Sequence, residues 1–127
     1  MHDYVLIVDD DPDVRSFMSS SIDLYGMAAR NAADGQQALA MIREQPPSAI
    51  ILDLLMPAMS GFSTLSHLQN DPTSRSIPVI VVSGLAAAGG DVQRLPGVVG
   101  VMRKAAFSLD DLFTMLNKAG LKGARAN

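Results

Sequence analysis

The stretch YVLIVDDDPDVRSFMSSSIDLYG, residues 4–26, places an apolar run, an acidic turn and a helical pattern in direct succession. The five apolar residues Tyr4–Val8 predict a strand that is covered on both faces. Apolar residues then recur at helical spacing up to Tyr25, with Pro12 suited to a first helical turn and Gly26 to a C-terminal cap. A strand followed at once by a helix is the unit of a parallel α/β sheet.

Further apolar runs repeat this unit along the chain, at Met27–Asn31, Ala49–Leu54, Val79–Val82 and Val98–Met102. The run Met27–Asn31 is the weakest, because it is neither β-branched nor strongly alternating, and it is predicted from its position between two helices. We expect an α/β fold of flavodoxin-like type, a doubly wound (βα)5 arrangement. Its parallel five-stranded sheet would have the strand order 2-1-3-4-5.

The later helices differ in how strongly the sequence predicts them. A third helix is expected over Ser60–Gln69, with Phe62, Leu65 and Leu68 facing inward. The glycine-rich segment Gly84–Gly97 predicts a short or frayed helix at most, because each glycine inside a helix costs about 1 kcal/mol. We expect one domain over residues 1–118 and a partly disordered tail over 119–127.

Composition excludes several classes of protein. The 127 residues, 48% hydrophobic and 18% charged, fit one globular domain. A net charge of −3 without a basic cluster argues against nucleic-acid binding. The chain has no cysteine, so it has no disulfide and no thiolate site. It also shows no leader and no apolar stretch of the roughly 18 residues that span a membrane, and we expect a cytoplasmic protein.

Polar side chains follow the predicted strands where they end. Asp9 and Asp10 follow the first strand, Asp53 ends the third, Ser83 follows the fourth and Lys104 the fifth. The first and third strands are neighbours in the predicted order, so their three carboxylates should converge at one edge of the sheet. Such a cluster needs a cation, and with no cysteine in the chain and no histidine near a strand end, Mg²⁺ fits best.

Each of these residues has a simpler interpretation when it is taken alone. Asp9 and Asp10 could be solvated charges at a helix N-terminus, which is where we assign Asp11 and Asp13. Asp53 alone could begin a turn, and Lys104 could be a solvated surface charge. Their coincidence at matching strand ends favours a common site.

Four motifs in this order resemble the response-regulator receiver domain of two-component signalling, as found in single-domain chemotaxis regulators. They are Val8–Pro12, Ile50–Pro57 followed by Gly61, Pro78–Gly84, and Lys104. The resemblance covers roughly Val5 to Leu116. It implies a phosphoacceptor module that takes a phosphoryl group from a phosphohistidine in a Mg²⁺-dependent step.

The resemblance also implies a role for each site residue. Asp53 would be the phosphoacceptor, and Asp10, Asp53 and the main-chain carbonyl of Leu55 would hold Mg²⁺, with Asp9 acting through metal-bound water. Lys104 would pair with Asp53 at rest and with the phosphoryl oxygens afterwards.

The Ser83 hydroxyl would take a remaining phosphoryl oxygen. The partners implied are a sensor histidine kinase or a histidine phosphotransfer protein, and a downstream target that the sequence does not identify. No nucleic acid and no membrane insertion are implied, and the protein would be a monomer or a phosphorylation-dependent dimer.

Several positions depart from the family pattern. Val101 replaces an aromatic residue three positions before the lysine, and Ala105 replaces the proline after it. We therefore hypothesise that the segment Gly84–Gly97 carries the signal by ordering on phosphorylation. Leu55 and Leu85 flank the path of a hydrolytic water and cannot orient it, which predicts slow self-dephosphorylation.

Three other functions stay open. The chain could be a degenerate receiver that binds partners without phosphate. It could be a Mg²⁺-dependent phosphohydrolase, although Leu55 stands where such an enzyme places its general acid. A flavodoxin-type binding module would need a phosphate-binding glycine-rich loop after the first strand. The stand-alone, non-enzymatic receiver is the leading prediction.

Overall fold

The computed structural model describes residues 3–56, 60–84, 94–104 and 106–123. Within these ranges the strands are β1 (Tyr4–Val8), β2 (Ala28–Ala32), β3 (Ala49–Asp53), β4 (Val79–Ser83) and β5 (Val98–Arg103). The helices there are α1 (Pro12–Tyr25), α2 (Gly35–Glu44), α3 (Gly61–Asn70) and α4 (Leu109–Lys118). No helix in the described part of the chain is long and apolar enough to cross a membrane.

The sheet has the order β2-β1-β3-β4-β5 with every pair parallel, which confirms the predicted flavodoxin-like topology. Its register aligns the strand ends. Val8 lies beside Leu52, Asp53 beside Val82, and Ser83 beside Arg103. The polar residues that end or follow β1, β3, β4 and β5 are thereby brought to one edge of the sheet.

Apolar side chains form a core cluster on each face of the sheet. In β1, Leu6 and Val8 belong to one cluster, and Val5 and Ile7 belong to the other. The first cluster includes Ala38, Ile42, Leu65 and Leu68 from α2 and α3, and the second includes Met18, Ile22, Tyr25, Leu112 and Leu116 from α1 and α4. The sheet is therefore covered by helices on both faces, as predicted for a doubly wound fold.

The inward orientation predicted for Phe62 is wrong, because its side chain is 44% exposed. The buried face of α3 runs through Gly61, Thr64, Leu65 and Leu68. Gly61 lies directly against the backbone of β3, and the next residue is rotated by about 100° around the helix. That rotation carries the Phe62 ring to the surface.

A bulge in β5 changes the faces on which its side chains lie. Val79 lies beside Val98 but Ile80 lies beside Gly100, so Val99 is an extra residue in the ladder. A Cβ on Gly100 would lie 2.1 Å from the Met115 sulfur, so a larger residue there would require the flexible end of the Met115 side chain on α4 to move. Beyond the bulge, Val101 packs on the α2 and α3 side.

The chain beyond α4 packs against the body of the domain as far as it is described. Leu121 is buried, and its carbonyl accepts a hydrogen bond of 2.9 Å from the hydroxyl of Tyr25. Partial disorder is predicted for the tail 119–127; this contact lies in the part of the tail that the structure describes, and the expectation stays a prediction. Residues 124–127 lie outside the described residues, as do residues 85–93 of the expected short helix.

Candidate functional site

The turn between β1 and α1 holds Asp9 through its main chain and its side chain. Asp9 is 3% exposed, and its N–H donates to the carbonyl of Ala32 in β2 at 3.2 Å. Its Oδ1 accepts from the N–H of Asp11 at 2.9 Å, and its carbonyl accepts from Arg15 Nη1 at 2.8 Å. Asp10, the next residue, is exposed at the rim of the site.

Asp11 and Asp13 belong to the start of α1, as predicted. The Asp11 carboxylate accepts from the N–H of Asp13 at 2.9 Å and caps the helix, while Asp13 lies in its first turn. The run of acidic residues is therefore divided between a helix cap and the cluster at the sheet edge.

Asp53 ends β3 and is 2% exposed. Its Oδ1 accepts from the N–H of Leu55 at 3.1 Å, which fixes one oxygen of the carboxylate. The start of α3 presses on the backbone here: a Cβ on Gly61 would lie 2.2 Å from the Asp53 carbonyl oxygen. Because glycine has no side chain, α3 can lie directly against the backbone of β3 at this point.

Lys104 bridges two carboxylates that come from different strands. Its Nζ lies 3.0 Å from Asp53 Oδ2, as predicted, and 3.1 Å from Asp9 Oδ2. Its main-chain N–H donates to the carbonyl of Ser83 at 3.0 Å, which extends the β4–β5 pairing past the end of β5. The contact with Asp9 was not foreseen from the sequence.

Burial and charge act on these groups in opposite directions. Burial raises the pKa of Asp53; the hydrogen bonds from Leu55 and Lys104 offset this in part, and the Asp9 charge adds to the rise. Burial alone would lower the pKa of Lys104, but its hydrogen bonds and ion pairs with Asp53 and Asp9 raise the pKa above its usual value. The two carboxylates therefore favour the charged form of Lys104 beside them.

The donor set fits Mg²⁺. Asp9, Asp10 and Asp53 each offer a carboxylate oxygen, and these oxygens all lie within 4.8 Å of one another. Opposite ligands of Mg²⁺ are about 4.2 Å apart, because each bond is about 2.1 Å long. At most one pair among three ligands can be opposite and adjacent ligands lie about 3.0 Å apart, so the three oxygens would have to draw closer for all of them to bind the ion directly. The carbonyl of Leu55 as a further ligand stays a prediction.

Ser83 is buried at the end of β4, on the same edge of the sheet. Val101, the position without the aromatic ring, is half-buried against the core cluster that also contacts Leu95 and Val98. Leu85 and Ala105 lie outside the described residues, so the predictions that concern them remain untested.

Sequence reasoning missed an apolar patch beside Lys104. Phe17 is 50% exposed, and its ring packs edge-on against Phe107 with 6.1 Å between centroids. The two rings, with Lys104 and residues of the first turns of α1, line an open cavity of about 340 Å³. We call Phe17 and Phe107 the aromatic patch. The helical pattern of α1 contained Phe17 but did not show that its ring is left uncovered.

A parallel sheet of order 2-1-3-4-5 with an acidic cluster, a lysine and a serine at its carboxyl edge defines the receiver class of signalling domain. The family model of the response regulator receiver domain matches residues 5–117, and the chain belongs to this family. The family is a signalling family of two-component systems.

Curated relatives agree with this assignment. The chain is similar to the response regulator PleD of Caulobacter vibrioides, with 37% identity over 92 residues, which are 72% of this chain and 20% of PleD. It is 30% identical over 79 residues to the protein PilH of Pseudomonas aeruginosa, covering 62% of this chain and 65% of PilH. The chain thus corresponds to about a fifth of PleD but to most of PilH.

Solved structures show the same fold. The chemotaxis protein CheY4 of Vibrio cholerae has a TM-score of 0.83 and 25% identity, covering 94% of this chain and 99% of that one. The receiver domain of the Francisella response regulator 1452 has a TM-score of 0.81 and 28% identity, covering 93% and 96% of the two chains.

Proposed function

We propose that this receiver accepts a phosphoryl group on Asp53 from a phosphohistidine, in a step that requires Mg²⁺, and signals through protein contacts. The observation that carries the proposal is the grouping of Asp53 with the Lys104 ammonium, 3.0 Å away, and with the carboxylates of Asp9 and Asp10 within 4.8 Å. Phosphoryl transfer depends mainly on positioning and charge neutralisation, and these groups supply both.

The residues of the chain divide the chemistry among them. An oxygen of the Asp53 carboxylate forms the new bond to phosphorus as the bond from phosphorus to the histidine nitrogen breaks, which gives an acyl phosphate. The N–H of Leu55 fixes the orientation of the carboxylate through Oδ1. Lys104 then pairs with a phosphoryl oxygen, and the Ser83 hydroxyl donates to another.

The metal would be held by Asp10 and Asp53, by the Leu55 carbonyl, and by Asp9 through water. When bound, Mg²⁺ neutralises the charge on the transferring phosphoryl oxygens. Asp10 is the exposed member of the cluster, so the cation can reach the site from solvent without opening the core.

The donor would be a sensor histidine kinase or a histidine phosphotransfer protein. A phosphohistidine can reach Asp53 only if the donor covers the rim of the site, and the aromatic patch lies on that rim beside Lys104. Exposed aromatic rings are frequent anchors in protein interfaces. Phe17→Asp should slow transfer from a phosphorylated donor protein while phosphorylation by acetyl phosphate proceeds at the wild-type rate.

Phosphohydrolase activity is not supported by the position two residues after Asp53. Leu55 is 49% exposed there, and its side chain has no proton to give to a leaving group. The protein that we propose is therefore a phosphoacceptor that loses its phosphoryl group slowly, and not an enzyme that turns over substrate.

The test is incubation with acetyl phosphate and Mg²⁺ followed by intact-mass measurement. One added phosphoryl group is expected on the wild type and none on Asp53→Asn, and chelation of Mg²⁺ should abolish the adduct. Failure of the wild type to gain the adduct, although Mg²⁺ binds, would instead favour a receiver that acts without phosphate.

A further inference from the structure

Asp9 is held at each of its polar groups, and one of its partners has no part in the proposed chemistry. The N–H binds Ala32, and the carboxylate binds Asp11 and Lys104. The carbonyl binds Nη1 of Arg15 at 2.8 Å, across six residues of chain. Arg15 lies on the first turn of α1 and is half-buried.

We propose that Arg15 is a positioning residue that fixes the peptide between Asp9 and Asp10 and thereby aims the Asp10 carboxylate at the metal. This inference rests on the proposed function, because it concerns the same Mg²⁺ site. It assigns to Arg15 an action through the backbone, without contact to the metal or to the phosphoryl group.

The hydrogen bond from Arg15 acts on Asp10 through the peptide group that joins Asp9 to Asp10. The Asp9 carbonyl and the Asp10 N–H belong to one planar unit, so a hydrogen bond at the oxygen fixes the plane from which Asp10 departs. Asp10 is exposed and is not part of either core cluster, so packing does not set its direction. The direction of the Asp10 side chain must therefore be set by the turn, and the hydrogen bond from Arg15 holds that turn in place.

Positioning by Arg15 and repulsion by its charge predict opposite changes in Mg²⁺ affinity when Arg15 is removed. A guanidinium near a cation site repels the cation, so removing it should tighten Mg²⁺ binding. If Arg15 acts by positioning, removing it should weaken Mg²⁺ binding. Loss of a residue that orients a metal ligand typically costs about tenfold or more in affinity. The sign of the change therefore separates the two accounts.

The experiment measures Mg²⁺ affinity by calorimetry for the wild type, Arg15→Met, Arg15→Lys and the control Arg103→Met. Arg103 is exposed at the end of β5, so its variant removes an equal charge at the same sheet edge without touching the turn. We expect about tenfold weaker binding for Arg15→Met, a smaller loss for Arg15→Lys, and no loss for Arg103→Met.

A second measurement uses the metal-free protein and does not depend on phosphorylation. The Asp11 amide, which donates to Asp9 Oδ1, should exchange its hydrogen faster in Arg15→Met, while amides of β1 keep their protection. If Arg15→Met fails to fold, Arg15→Lys is judged by the same two criteria.

Mg²⁺ binding by Arg15→Met that equals or exceeds that of the wild type would overturn the inference. Weaker binding with unchanged exchange at Asp11 would also overturn it, because the loss would not arise in the turn. A wild type that binds no Mg²⁺ would contradict the proposed function, and the exchange measurement would still decide whether Arg15 holds the turn.

Discussion

Lys104 and Asp53 form a salt bridge of 3.0 Å although the whole of β4 lies between their strands. The same ammonium reaches Asp9 at 3.1 Å, so one lysine joins the ends of β1, β3 and β5. Both carboxylates are almost fully buried, and an unpaired carboxylate in such a place is costly. Lys104 therefore stabilises both carboxylates by pairing with them.

Lys104→Met should lower the free energy of unfolding by about 1–3 kcal/mol at neutral pH, because two buried carboxylates lose their partner. Urea unfolding measures this. The control Lys122→Met removes an exposed lysine beyond α4 and should change stability by less than about 0.5 kcal/mol. Equal stability of the two variants would mean that the bridge contributes nothing.

Mg²⁺ should bind through Asp10 and not through Asp11. Asp10→Asn and Asp11→Asn remove the same charge, but asparagine still caps α1 at position 11. We expect Asp10→Asn to weaken Mg²⁺ binding by at least about tenfold, because it removes a ligand charge, and Asp11→Asn to weaken it far less. Mg²⁺-dependent shifts in melting temperature report the difference; similar losses in both variants would indicate a diffuse acidic field.

The acyl phosphate of the wild type should hydrolyse slowly, because the exposed Leu55 cannot orient a water. Leu55→Asn provides an amide that can hydrogen-bond the attacking water, as a glutamine does in related phosphoryl chemistry, and should speed hydrolysis several-fold. The rate of hydrolysis is measured by mass spectrometry as the loss of the phosphorylated protein over time. Leu24→Asn, at another exposed leucine, is the control, and equal decay in both variants would contradict this role for position 55.

A side chain at Gly61 should lower the stability of the fold. A Cβ there would lie 2.2 Å from the Asp53 carbonyl oxygen and 2.4 Å from the Leu54 Cα, so Gly61→Ala must push α3 from β3 at a cost of about 1–3 kcal/mol. Gly84→Ala is the matched control, since a Cβ at Gly84 meets no atom of the described residues within 4 Å. Unfolding midpoints compare them, and a Gly61→Ala variant as stable as the wild type would disprove the steric argument.

Much of the fold follows from local patterns in the chain. The apolar runs predicted the strands to within about a residue at each end, and Gly26 caps α1 with a φ of 101°, as its position predicted. The convergence of Asp9, Asp10 and Asp53 followed from strand order, since parallel strands end at one edge, whereas the pairing of Lys104 with Asp53 followed from the family resemblance.

Features that depend on tertiary packing did not follow. The bulge at Val99 arises where Met115 covers Gly100, a contact between residues that no local pattern connects. The hydrogen bond from Arg15 to the Asp9 carbonyl uses a backbone acceptor, which every residue has, so composition carries no sign of it. The exposure of Phe62 depends on the tight contact of Gly61 with β3, which periodicity does not reveal.

Asp53 is the phosphoacceptor in the function that we propose, and locating the acyl phosphate in the chain tests this directly. Protein treated with acetyl phosphate and Mg²⁺ is reduced with borohydride, which converts a phosphorylated aspartate to homoserine, and peptides are then mapped by mass. We expect homoserine at position 53 and at no other aspartate. Homoserine at position 9 or 10, or no homoserine in protein that carries the adduct, would contradict it.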